Sequence, residues 1–159
     1  MGTQQVLLIV LAVIIVGVAV AVGITMFGKQ STSTNREALK VDLATFAARA
    51  IAFWKTPAGM AGGGNGKPGF GASKPEALRT VCRWVGLGLD GKFENENGLY
   101  FYYYYHGSDN MIIRSWGNVK GQNPSYSHWA TPPDRRGNVS CVLSVRPKQN
   151  PPFTISIEN

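Results

Sequence analysis

Charge is missing from the front of this chain. None of its 16 Lys and Arg or 9 Asp and Glu residues precedes Lys29, so the formal net charge of +7 belongs wholly to residues 29–159. Basic residues never gather into a run of five, which argues against a dedicated nucleic-acid patch and leaves the positive balance as a matter of solubility or of attraction to an anionic surface. Histidine is almost absent, with His106 and His128 alone. No GxSxG, HExxH or pair of carboxylates in an apolar setting occurs, so no enzyme, metal or cofactor is expected. A formal GxGxxG does occur at Gly64, Gly66 and Gly69. A dinucleotide site needs a strand before it and a helix after it; here a helical pattern precedes it and Pro68 lies inside it. A phosphate loop fails too, because Gly66-Lys67 runs into Pro68 and Ala61 stands where the first glycine belongs. The stretch Thr56–Glu76 reads instead as a surface loop crossing from helix to sheet.

What the front does contain is apolar. From Val6 to Phe27 run twenty-two residues without a charge, and about 20 apolar residues suffice to cross a bilayer as a helix. A secretory signal has a basic start, a shorter apolar core and a small-residue cleavage site; this run is too long and offers no such site. A plain anchor shows Lys or Arg on its cytoplasmic flank, and Met1-Gly2-Thr3-Gln4-Gln5 carries none. One expectation covers both gaps: a basic leader has been removed and Met1 is the first residue of the mature chain. Gly17 and Gly23, inside the run, are points where the helix could loosen.

The next stretch changes period. Leu39, Leu43, Phe46, Ala50 and Phe53 alternate four and three apart, a helical stripe, with Arg36, Lys40, Asp42 and Arg49 off it. Thr34-Asn35-Arg36-Glu37 fits a capping box, so a second helix could start at Asn35; the alternative is one continuous helix from about Thr3 to Trp54, on the order of 80 Å long at 1.5 Å per residue. Pro57 and the glycines after it stop the pattern. The organisation expected is residues 1–27 as an apolar transmembrane or filament-core helix, 28–55 as its amphipathic continuation, and 56–159 as a β-rich head.

In that head, Ser73-Lys74-Pro75-Glu76 starts a short helix reaching about Val85, with Leu78, Val81, Cys82 and Val85 on one side, and Asp90-Gly91 marks a turn. "GLYFYYYYHG" and "NMIIRSWG" read as one hairpin and "NVSCVLSVR" and "FTISIE" as a second strand pair, with a polar loop from Gly117 to Gly137 between them. The aromatic run holds Tyr100, Tyr102, Tyr103, Tyr104 and Tyr105. Alternation sends some of them outward, where they would serve subunit contacts or, less simply, stack on single-stranded DNA. Asn138-Val139-Ser140 matches a glycosylation acceptor, a common tripeptide. Cys82 and Cys141 are an even count in a chain expected to reach an oxidising space. A disulfide is expected over two buried thiols; closing some sixty residues, it would contribute roughly 4 kcal/mol.

Uncharged terminus, apolar helix, amphipathic helix, then a small antiparallel sheet: the order resembles type IV pilins and pseudopilins, specifically over the first 54 residues and architecturally beyond. The start, "GTQQVLLIVL" with a Gly-rich stretch after the helix, is also similar to small pilin-like proteins of the Bacteroidota–Chlorobiota group. The resemblance implies an α+β fold of the pilin type. It implies a prepilin peptidase and an inner-membrane assembly platform as partners, an N-methylated Met1, and self-association into an extracellular filament after residence in the inner membrane. In the family a glutamate usually fills the position of Gln5 and pairs with the terminal amine of a neighbour; Gln5 can accept that hydrogen bond but brings no counter-charge. The family's frequent proline in mid-helix is absent. A pseudopilin of a secretion machine, or a membrane-anchored periplasmic binding domain, would share these features.

Overall fold

The structure, a computed structural model, describes residues 2–64, 78–103, 110–123, 125 and 131–159 (of 78, 79 and 103, the backbone only). The chain has an α+β layout: one long N-terminal helix, then a five-stranded antiparallel sheet. It divides into two compact units, Met1–Thr34 and Asn35–Asn159.

Helix α1 is a single element, Thr3–Lys55. The capping box at Thr34 therefore starts no second helix; Glu37 forms an ion pair with Lys40 at 2.7 Å instead. Within the second unit the expected stripe is the buried one. Leu39, Leu43, Phe46, Ala50 and Phe53 are all buried, joined by Ala47 and Trp54. The helix stops at Lys55, and Pro57 opens a single 3₁₀ turn, Ala58–Met60.

The short helix of the head departs from expectation. Its described part is a π turn, Leu78–Cys82, running straight into one α turn, Arg83–Val85. Gly86, at φ +96°, ends it, and the N–H groups of Gly86 and Leu87 both donate to the carbonyl of Cys82 at 2.9 and 2.8 Å. A side chain at Gly86 would be strained at that φ and would also meet the Arg49 guanidinium at 2.5 Å. Val81, Cys82 and Val85 still face the core, as their spacing suggested.

The sheet runs in sequence order: β1 (Lys92–Glu94), β2 (Gly98–Tyr103), β3 (Met111–Lys120), β4 (Asn138–Val145) and β5 (Phe153–Ile157). Both expected strand pairs are present. β1, three residues just after the Asp90-Gly91 turn, is an addition to them. β3 also runs beyond Gly117 into the expected loop, with a register shift between Trp116 and Lys120 before Lys120 meets Asn138. Sequence preference for strand is weak in Gly-Asn-Val-Lys; cross-strand hydrogen bonds carry it, with Asn138 Nδ2 donating to Gly117 O at 2.7 Å and Gly121 N to Gly137 O at 2.8 Å.

Register decides which side chains meet α1. Tyr100, Ser115 and Cys141 lie on one rung, and Tyr102, Ile113 and Leu143 on the next. All six are buried, as alternation requires of one face. Gly98 and Gly117, paired across β2 and β3, sit under the Asn35 end of the helix; a Cβ at Gly98 would reach Leu39 at 3.0 Å, and one at Gly117 would collide with Asn35 Oδ1.

Candidate assembly surface and the core beneath it

In the first unit every large apolar side chain from Val6 to Phe27 is exposed. Over the most apolar stretch of α1 nothing is buried within the chain, and the helix is long and apolar enough to cross a membrane. Leu7 is 71% exposed, Ile14 57% and Phe27 77%. Burying one such side chain is worth about 1.5–3 kcal/mol, so this surface calls for lipid or protein around it. Two threonine hydroxyls are satisfied within the helix itself. Thr25 Oγ1 donates to Val22 O at 2.8 Å and Thr32 Oγ1 to Gly28 O at 3.1 Å, the back-bonding that lets hydroxyls sit in apolar helices.

Gly17 and Gly23 are helical, and a Cβ at either would meet nothing within 4 Å. The helix does not open at either one. Gln5 is exposed in the first turn, its N–H bonded to Gly2 O at 2.9 Å. Met1 lies outside the described residues.

In the second unit the polar centre is Asp42, on α1. Its Oδ2 accepts hydrogen bonds from Asn95 Nδ2 at 2.9 Å, from Asn97 Nδ2 at 2.8 Å and, over a short distance, from the Tyr100 hydroxyl. The β1–β2 turn that supplies these donors is shaped by Asn95, whose Oδ1 accepts the N–H of Asn97 at 2.9 Å and of Gly98 at 3.0 Å, an Asx turn. Asn35 Nδ2 donates to Asn97 O at 2.9 Å, so α1 grips the turn at two levels. Burial alone would raise the Asp42 pKa, but the hydrogen bonds from Asn97, Tyr100 and Asn95 outweigh it and hold the carboxyl below its ordinary 3.8. Tyr100 is pushed the other way, first by burial and then by the carboxylate it serves. The sequence alone does not reveal this centre. Asn95-Glu96-Asn97-Gly98 does hold a signal, two turn-forming amides two residues apart, but nothing local names the carboxylate they reach.

Two expectations are corrected here. Tyr100 and Tyr102, expected among the surface or subunit contacts, are buried, at 0% and 3% exposure; their face of β2 is the one α1 covers, and Phe46 packs edge-on to Tyr100 at 5.2 Å. Neither can stack on an outside ligand. The Tyr103 side chain and residues Tyr104 and Tyr105 lie outside the described residues, as do His106 and His128. The expected Cys82–Cys141 disulfide is not formed, and both cysteines are free, buried thiols. Cys141 feels the charges of Lys40 and Arg36 on α1, whereas Cys82 belongs to the turn whose Val85 carbonyl accepts from Arg49 at 3.1 Å. Burial raises the Cys82 thiol to about 12, helped by Asp90, and the Cys141 thiol to about 11. The tripeptide at Asn138 is no surface acceptor either: Asn138 and Ser140 are buried in β4.

Among the described residues no cluster of His, Cys, Asp and Glu could hold a metal ion. No family of known proteins, no curated protein and no solved structure matches this chain. The long apolar helix with a small antiparallel sheet is compatible with a pilin-like layout, on the structure alone.

Proposed function

We propose that this chain is a structural subunit that polymerises through the apolar part of α1 into an extracellular filament of the type IV pilus kind. The observation that carries the reading is the helix Thr3–Lys55: its amphipathic part completes the core of the second unit, while the stretch Val6–Phe27 leaves every large apolar side chain exposed. In a bilayer lipid covers that stretch. In a filament other copies would cover it, and because lipid and protein are about equally apolar, close packing rather than hydrophobicity would drive the exchange, with Gly17 and Gly23 among the small residues allowing close approach. In water the same surface would hold such a polymer together firmly. Processing by a prepilin peptidase, methylation of Met1 and a neighbour's contact at Gln5 belong to this reading.

The test is electron microscopy of material sheared from the cell surface, with the chain identified in it by mass spectrometry. Uniform thin filaments made mainly of this chain are expected. The chain retained in the membrane fraction, with no filaments, would replace the reading with a pseudopilin or a membrane-anchored domain.

A further inference from the structure

The two edges of the sheet are treated differently. On one side the sheet ends in β1. Tyr102 N donates to Gly91 O at 2.8 Å and Asn95 N to Gly98 O at 3.0 Å, which fixes the alternation along β1: Gly91, Phe93 and Asn95 bond to β2, and the backbone groups of Lys92 and Glu94 point away from it. At Lys92 both are already taken. Gly88 N donates to Lys92 O at 2.9 Å, and Lys92 N donates to Asp90 Oδ1 at 3.2 Å. Glu94, the other outward residue, carries a charge. A short strand, a covering turn and charged residues are the devices that keep further strands off an edge.

On the other side the sheet ends in β5, where these devices are missing. Arg146 N donates to Pro152 O at 2.7 Å and Glu158 N to Ser140 O at 2.9 Å, so the backbone groups of Pro152, Thr154, Ser156 and Glu158 face β4. Those of Phe153, Ile155 and Ile157 point outward, and among the described residues no hydrogen bond takes them. From Pro151 to Ile157 no residue is charged, and the two prolines precede the outward row without interrupting it. Phe153 and Ile155 are only partly buried against the core, Ile157 is 46% exposed, and on the opposite face Thr154 and Ser156 are exposed.

An outward row of alternating donors and acceptors is completed by another strand, and β5 is complementary to itself. Laid antiparallel on a second copy about Ile155, Phe153 meets Ile157, Thr154 meets Ser156 and Ile155 meets Ile155. Apolar groups then oppose apolar groups and hydroxyls oppose hydroxyls. Glu158, already paired with Arg114, falls opposite Pro152, so no like charges confront each other. The three outward pairs would exchange about six backbone hydrogen bonds. The relation is two-fold, so the contact closes with two copies.

We propose that β5 pairs edge to edge with β5 of a second copy, antiparallel and centred on Ile155, joining the two sheets into one. The contact lies wholly in the second unit and does not depend on polymerisation through α1.

The test uses the full chain in a non-ionic detergent as two differently tagged copies, and measures over a dilution series how much of one is captured with the other. Capture between wild-type copies is expected. Thr154→Lys combined with Ser156→Lys sets lysine opposite lysine twice and should weaken capture about ten-fold. Thr154→Glu combined with Ser156→Glu should weaken it as much, and mixing lysine copies with glutamate copies should restore it. Hydrogen exchange reads the backbone: the amides of Phe153, Ile155 and Ile157 should exchange more slowly in wild-type copies than in the lysine variant. Both substituted positions are exposed, and circular dichroism on each variant separates lost pairing from lost folding. The proposal is overturned if wild-type copies do not capture one another, or if capture is indifferent to the lysine pair, which would place the contact elsewhere, as on the apolar helix. It is also overturned if the lysine and glutamate copies fail to restore capture when mixed, since the strands would then not lie opposite each other in this register.

Discussion

The two parts of α1 share one backbone conformation and nothing else. Between Val6 and Phe27 the apolar residues go all the way round and none is buried in the chain. Between Leu39 and Trp54 the large ones, apart from the exposed Val41, gather on one side, and Leu39, Leu43, Phe46, Phe53 and Trp54 are buried there. A helix apolar all round must find its surroundings outside its own chain, whereas a helix with one apolar stripe can find them inside it. Helical propensity does not distinguish the two parts; the angular spread of large side chains does.

The sharpest way to break that contrast is to truncate one leucine from each part. Leu43→Ala, at a position with no exposure, should destabilise the second unit by about 2–5 kcal/mol. Leu11→Ala should leave that stability unchanged and weaken only association between copies. Denaturant unfolding in detergent, followed by tryptophan fluorescence, measures the first effect, and sedimentation or filament yield the second. Equal losses of folding stability from both would mean that the two parts of the helix are not energetically separate.

A somewhat smaller effect is expected at the sheet side of the stripe. Gly117→Ala pushes a methyl group into Asn35 Oδ1 and towards Leu39, and overpacking of this kind costs about 1–3 kcal/mol. Gly17→Ala meets nothing and should stabilise the helix by up to ~1 kcal/mol. Opposite signs at the two glycines, read as unfolding midpoints for Gly117 and as helix content for Gly17, would sharpen the distinction between a packed and an unpacked surface.

Acid and alkali probe the polar centre and the thiols. The native Asp42 pKa lies below its unfolded value, so its contribution to stability is complete above about pH 4 and is lost as pH falls through the native value. Asp42→Asn should flatten that acid limb. The thiols work in the other direction. With native values raised to about 12 for Cys82 and about 11 for Cys141, their contribution is full below the unfolded value near 9 and is lost as pH rises through the native ones. Cys82→Ala should therefore shorten the alkaline limb. The smallest effect of all is expected from reductant: dithiothreitol should leave the unfolding midpoint where it is, and a thiol reagent should react with both cysteines only after denaturation. A drop in stability on reduction would mean that the cysteines are bridged after all.

Much of the fold was legible residue by residue. The stripe Leu39, Leu43, Phe46, Ala50 and Phe53 named the buried face of α1, Pro57 marked its end, and both strand pairs were visible from β-branched and aromatic runs. The failures share a cause. β1 is too short to carry a pattern, and the far end of β3 is held by Asn138 and Gly137 from another strand rather than by its own preference. The tyrosine run announced alternation but not which side α1 would cover. The capping box at Thr34 was a sound local signal, overridden because the helix had no reason to stop there.

By itself, then, the amino-acid order determined the length of the apolar stretch, the change from all-round to one-sided apolarity after Lys29, and the places where strands turn, because each depends only on neighbours a few residues apart. Tertiary structure decided that Asp42 receives the amides of Asn95 and Asn97 and the hydroxyl of Tyr100, that Cys82 and Cys141 are buried without bridging, and that Trp84 stands at the surface on Phe53. These pairings join residues some thirty to sixty positions apart, and only the packing of helix on sheet brings them together.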